Sequence, residues 1–166
     1  MFQEAIRVPL LIRLPGQTKQ RRIMGPVSHI DIVPTLLDLL GEAIPGHLEG
    51  KSLCPWVNNS ANPHHDQPVF IEWNGSNTGV NLTSVAEKFS GENALLSACK
   101  APARTIITPD GWKLSVNSLG ESELYHLRED PYEKSNLAGH ADTMELRRCL
   151  VQQMDHHWNG PMSNET

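Results

Sequence analysis

Apolar residues along the chain fall into short blocks separated by long polar stretches rich in Pro, Gly and Asn. Residues 6–14, Ile-Arg-Val-Pro-Leu-Leu-Ile-Arg-Leu, are nearly continuous apolar sequence closed by Pro15-Gly16. Such a run predicts a strand covered on both faces, as in a parallel or mixed α/β sheet, with Pro9 near its start or on an edge. Further on, apolar residues at 32, 33, 36, 37, 39 and 40 keep helical spacing and predict a helix over 32–40. Asp31 or Ser28 can cap its start, Pro34 is tolerated in the first turn, and Gly41 closes it.

The second half has a different period. Residues 41–66 form a connector rich in Gly, Pro, Asn and His, and Pro68 to Trp73 is a strand. From Asn74 to Pro102 there is no sustained alternation, which marks a long loop. Arg104 to Thr108 and Trp112 to Asn117 flank the turn residues Pro109-Asp110-Gly111, so they predict a hairpin. A second turn at Ser118 to Glu121 leads to a third strand, Glu123 to Leu127. Residues 139–158 place Met144, Leu146, Leu150, Val151 and Met154 on a broadly helical pattern.

The fold expected is therefore an α/β piece, the strand–helix edge of a mixed α/β sheet, followed by a small α+β subdomain. The subdomain is an antiparallel three- or four-stranded sheet with a C-terminal helix. Its boundaries fall at 1–60 for the α/β edge and 66–158 for the subdomain with its loop at 74–102, leaving a tail at 159–166. A strand and one helix cannot bury both of their own faces, so the first part needs partners.

Composition narrows the classes without naming one. The chain has 166 residues and a net charge of −5, which gives no electrostatic reason to expect nucleic acid or an anionic membrane as partner. No apolar run approaches the roughly 20 residues of a membrane span. The N-terminus lacks the basic region and apolar block of a signal peptide, which leaves localisation open and permits export of an intact parent. Cys54, Cys99 and Cys149 are far apart with no CxxC pair, against a disulfide framework or zinc site. Sequons at Asn58, Asn74, Asn81 and Asn164 bear only on a secreted eukaryotic protein.

The usual catalytic constellations are missing: no GxSxG elbow, no phosphate-binding glycine loop and no HExxH. His64-His65-Asp66 and His156-His157 read as solvent-exposed, because adjacent side chains diverge and chelate poorly. Three residues remain as substrate-binding candidates. Trp73 and Arg104 stand at the two ends of the 74–102 loop and together suit an anionic, ring-shaped ligand. His29 precedes a helix N-terminus, where anions bind. The plainer alternatives are a core Trp73, an Arg104 in a structural ion pair and a His29 satisfied by a backbone carbonyl or Asp31. No residue of the chain is assigned as catalytic or as a metal ligand.

Several strings, in order, resemble the C-terminal portion of the sulfatase family within the alkaline-phosphatase-like superfamily. They are Phe2 to Leu10, Val27 to Leu37, Gly50 to Pro55, Arg104-Thr105, Asp110 to Leu114, Glu123 to Leu127 and Asp130 to Ala138. The resemblance implies a large α/β domain followed by a small antiparallel sheet and helix. It also implies sulfate-ester hydrolysis by a formylglycine, made from the Cys or Ser of a C/S-x-P-x-R motif, beside a calcium held by carboxylates. Cys54 is followed by Pro55-Trp56-Val57 and does not match that motif. The family's paired aspartates, catalytic His and late catalytic Lys all fall before Met1 in its pattern, and Lys19, Lys51 and Lys113 do not match the Lys.

The expectation is a C-terminal sulfatase fragment, inactive alone, in which the 74–102 loop and Arg104 rim the pocket of an intact parent. That parent would act on a sulfate-ester small molecule or glycan, with calcium and formylglycine supplied outside this chain. Two alternatives stand beside it: a fragment of a phosphate or phosphonate monoester hydrolase of the same superfamily, and a non-enzymatic binding module.

Overall fold

A computed structural model describes residues 1–58, 65–75, 97 and 100–161. The chain divides into two compact units. One comprises residues 2–69 with 107–112, and the other Met1 with 70–106 and 113–166.

In the first unit the longest element is the helix α2 (Ile32–Leu40), preceded by a short helix α1 (Gln3–Ile6) and a 3-10 turn at His29–Asp31. The sequence places a carboxylate where it can close the start of α2. Asp31 is buried and accepts hydrogen bonds from the Ser28 N–H at 3.0 Å and the Lys51 N–H at 2.9 Å. Ser28 and Asp31 thus form a reciprocal cap on the 3-10 turn that leads into α2, where Asp31 makes no side-chain cap bond of its own, and Asp31 also pins the distant loop at Lys51. Gly41 ends the helix in the left-handed region, with the Glu42 N–H reaching the Leu37 carbonyl at 2.9 Å. Thr35 continues the bonding: its hydroxyl donates to the Asp31 carbonyl at 2.6 Å and accepts the Leu53 N–H at 2.8 Å. The loop then enters a short helix α3 (Cys54–Val57). Close packing explains Gly50, where any Cβ would lie 2.0 Å from the Ile30 carbonyl oxygen.

The strand expected at residues 6–14 is not present. Residues 7–14 join no strand among the described residues, and Leu11 is 86% exposed. An apolar run does not make a strand by itself, because a strand needs neighbours to take its backbone N–H and C=O groups. No described strand of this unit supplies them. For the same reason Val33, Leu36 and Leu40 of α2 are exposed, while its Pro34 and Thr35 are buried.

The second unit carries a four-stranded antiparallel sheet in the order β1 (Val69–Trp73), β2 (Ala103–Ile107), β3 (Trp112–Asn117), β4 (Ser122–His126). Helix α4 (Met144–His157) follows, as the residue pattern predicts. Ile106, Leu114 and Leu124 have no exposed surface and form the centre of the core, to which α4 contributes Leu150 and Met154. The Phe70 ring stacks on His157 with centroids 3.9 Å apart, which ties β1 to the end of α4.

The turns follow their residues. In the β2–β3 turn the Thr108 hydroxyl bonds the Asp110 carboxylate and accepts the Trp112 N–H at 3.0 Å. In the β3–β4 turn Asn117 Oδ1 accepts the N–H groups of Leu119 at 3.1 Å and Glu121 at 2.9 Å. The outer side of β4 is closed by Asn136 and Leu137. Asn136 Oδ1 accepts the Leu124 N–H at 3.0 Å, its amide donates to the Ser122 carbonyl at 3.1 Å, and the Leu137 N–H reaches the Leu124 carbonyl at 2.8 Å. An edge that would otherwise offer unpaired backbone groups is thereby blocked.

Candidate substrate-rim site

The two residues expected to clamp one ligand are separated by the sheet's own geometry. Glu72 and Trp73 are successive residues of β1 and so point to opposite faces. Arg104, on the neighbouring β2, goes to the Glu72 face. Its Nε donates to Glu72 Oε1 at 2.9 Å, its Nη1 donates to the Gly160 carbonyl at 3.1 Å, and its guanidinium lies 4.8 Å from the centroid of the Trp158 ring. Arg104 is therefore already compensated three ways, as the structural alternative anticipated. Trp73 is not core. It is 46% exposed, and with Ala103 it lines a cavity of about 580 Å³. The pair does not converge on a single ligand position.

That cavity is built by the β3–β4 turn and the Asn136 closure. Its polar lining is Ser115, Asn117, Glu121, Ser122, Glu123 and Asn136, together with the Met1 ammonium. The two asparagines hold backbone groups, so they shape the wall, while the carboxylates, the Ser122 hydroxyl and the Met1 ammonium are the groups left to meet a ligand. The carboxylate of Glu121 also takes the Asn117 amide at 2.7 Å. Beside it, burial, followed by the charge of Glu123, pushes the Tyr125 hydroxyl up from its ordinary value, so it remains protonated.

His29 lies in the other unit, exposed at the start of the 3-10 turn. No bond from its ring to a carbonyl or to Asp31 is present among the described residues, so the expected structural satisfaction is absent. The histidine expected to be solvent-exposed at position 65 is instead buried. Its ring packs on Trp56 at 4.7 Å and its backbone N–H donates to the Met24 carbonyl at 2.7 Å, contacts that the pattern of adjacent polar residues could not reveal. His64 lies outside the described residues, as do Cys99, Asn81, Asn164 and most of the 74–102 loop. Among the described residues no group of three His, Cys, Asp or Glu is placed to hold a metal ion, and no helix is long and apolar enough to cross a membrane.

Cys54 is buried, and its Sγ lies 3.6 Å from the Thr35 carbonyl. Burial raises its thiol above the usual value, which keeps it protonated and unreactive. One feature that the residue pattern did not single out is Lys113. It sits fully buried on β3, ion-paired to Glu133 and bonded to the Met1 carbonyl. The only available signal was a Lys inside the strand Trp112-Lys113-Leu114-Ser115-Val116.

The profile of the family N-sulphoglucosamine sulphohydrolase, C-terminal, matches residues 1–86. The chain belongs to this sulfatase family. Among its relatives, rat (Rattus norvegicus) arylsulfatase K is 30% identical over 164 residues, covering 93% of this chain and 25% of the relative. Two solved structures share the fold. The phosphonate monoester hydrolase SpPMH from Silicibacter pomeroyi superposes with a TM-score of 0.63 at 23% identity, over 87% of this chain and 27% of that one. BT4656, solved in complex with D-glucosamine-2-N,6-O-disulfate, superposes with 0.57 at 22% identity, over 78% and 23%. The chain thus spans about a quarter of the length of the relatives it matches. A four-stranded antiparallel sheet with a C-terminal helix is consistent with the C-terminal subdomain of the sulfatase structures it resembles.

Proposed function

We propose that this chain acts as the C-terminal region of an enzyme that hydrolyses sulfate esters, small molecules or glycans, and that the reacting groups lie outside it. The family match over residues 1–86 carries this reading. A sulfate ester needs a nucleophile and cations to stabilise charge as the S–O bond breaks. Neither a C/S-x-P-x-R string nor a described cluster of metal ligands occurs here. The formylglycine and calcium of the family would therefore be supplied elsewhere.

In this reading residues 1–60 form the closing edge of a large α/β domain and 66–158 the small subdomain, with 159–166 as a tail. Trp73 contributes most directly to a substrate rim, through an exposed ring beside a cavity. Arg104 supports the same strand through Glu72, and His29 is an exposed candidate in the α/β edge. The apolar groove beneath residues 9–12, about 490 Å³ and lined by Ile23, Leu53 and Trp56, supports the view that this edge is covered by further structure.

The test is a matched pair of substrates, an aryl sulfate and an aryl phosphate, given to the protein encoded by the whole reading frame that contains this chain. Preferential sulfate release supports the proposal. Preferential phosphate release would move the protein to the phosphate or phosphonate branch of the superfamily.

A further inference from the structure

We propose that the cavity beside Trp73 is a saccharide subsite that takes an unsulfated sugar ring, and that it disfavours the sulfated unit. The inference deepens the glycan branch of the function proposed above and rests on it only for the source of the sugar.

Three observations converge. First, an indole ring left 46% exposed forms one wall of a concave space of about 580 Å³, enough for one or two rings. Exposed aromatic surface inside a cavity offers an apolar platform, and a pyranose has a face of C–H bonds that packs on it. Secondly, the facing wall is polar and acidic. Glu121 and Glu123 bring two carboxylates and Ser122 a hydroxyl, against the single Met1 ammonium, and no lysine, arginine or histidine is among the described lining residues. Carboxylates accept hydrogen bonds from hydroxyl or ammonium groups and repel sulfate. Thirdly, the wall is held in place. Asn117 ties the β3–β4 turn and Asn136 ties β4, through bonds of 2.7–3.1 Å. Little ordering is then required when a ligand enters.

An apolar ligand would leave the carboxylates without partners, and an anion would meet two like charges that the Met1 ammonium offsets only in part. A ring with one C–H face and one hydroxyl- or amine-bearing edge satisfies both walls. In a sulfated glycan that ring is a unit lacking sulfate on the edge that enters. Arg104 is turned to the other face of the sheet and paired with Glu72, so it adds no positive charge to the site.

The experiment is an NMR titration of the 166-residue chain, following the Trp73 indole N–H, assigned by its loss in Trp73→Phe. The probes are di-N-acetylchitobiose, glucosamine, N-acetylglucosamine 6-sulfate and sodium sulfate. A saturable shift with the unsulfated sugars is expected, with the sulfated sugar at least about threefold weaker, as a partly exposed like-charge contact implies. Glu123→Gln should keep the fold and narrow that gap, and Trp73→Ala should abolish binding. The proposal is overturned if no sugar moves the Trp73 resonance, if Glu123→Gln leaves the gap unchanged, or if sulfate or the sulfated sugar binds more tightly. Sugar binding that persists in a protein without sulfate-ester activity would remove the hydrolase reading and leave this subsite standing. The reverse result would remove the subsite alone.

Discussion

Lys113 and Glu133 form an ion pair from which water is excluded, with side-chain exposures of 0% and 1%. Lys113 comes from the centre of β3. Glu133 comes from the loop after β4, where its φ of 53° places a non-glycine residue in the left-handed region. The Met1 carbonyl takes a further Lys113 hydrogen bond, and the Tyr125 ring lies 6.0 Å from the ammonium. Three chain segments therefore meet at one buried charge pair.

Breaking such a pair strands a buried charge, which costs about 3–5 kcal/mol, whereas removing both charges together costs much less. Lys113→Met or Glu133→Gln alone should lower the unfolding free energy by about that amount in urea titrations. The double variant should recover most of the loss. Equal losses in the three variants would mean that the pair contributes only packing.

The Asp130 carboxyl is held below its ordinary value chiefly by the Ser135 N–H, with those of Lys134 and Tyr132 assisting. The folded loop therefore takes up its proton at lower pH than the unfolded chain. Its stabilisation is complete above the unfolded-state pKa and is lost as pH falls through the folded-state value. Amide exchange at Ser135 should accelerate across that acid range, and Asp130→Asn should flatten the dependence. An unchanged profile in the variant would assign the transition to another group.

Gly50 and Gly46 separate backbone crowding from helix or loop propensity. A Cβ at Gly50 meets the Ile30 carbonyl and the Asp31 N–H, whereas at Gly46 nothing lies within 4 Å. Gly50→Ala should destabilise by roughly 1–3 kcal/mol by overpacking. Gly46→Ala should be nearly neutral in the same thermal melts, and a similar loss at both positions would refute the crowding account.

Thiol accessibility gives an independent check on the first unit. Cys54 is buried with its pKa raised by that burial, while Cys149 is exposed on α4. Brief iodoacetamide treatment followed by peptide mapping should find Cys149 modified and Cys54 protected. Prompt labelling of Cys54 would show that α2, α3 and the 50–54 loop do not hold together.

The four-stranded sheet and α4 were legible because each of these elements answers to local chemistry. Pro109-Asp110-Gly111 and Asn117 set two turns, alternation set the strands, and the 139–158 pattern set α4. The string Asp130 to Ala138 was recognisable as family sequence, but its physical purpose was not. Only the structure shows Glu133 under Lys113 and Asn136 closing β4, since both depend on contacts across more than ten residues. The first unit was harder. Residues 6–14 carry the apolar pattern of a covered strand, yet pairing is a property of neighbours and not of the strand itself. Trp73 and Arg104 stand at the two ends of one loop, which the sequence alone shows. Strand alternation, which turns Arg104 to the face of Glu72 and away from Trp73, decided what each can do.

The central claim is that this chain belongs to a sulfate-ester hydrolase without holding its reacting groups. Purified 166-residue chain, incubated with an aryl sulfate and calcium, tests it most directly. Product formation at the uncatalysed rate is expected; turnover that rises in proportion to the pure chain would contradict the account.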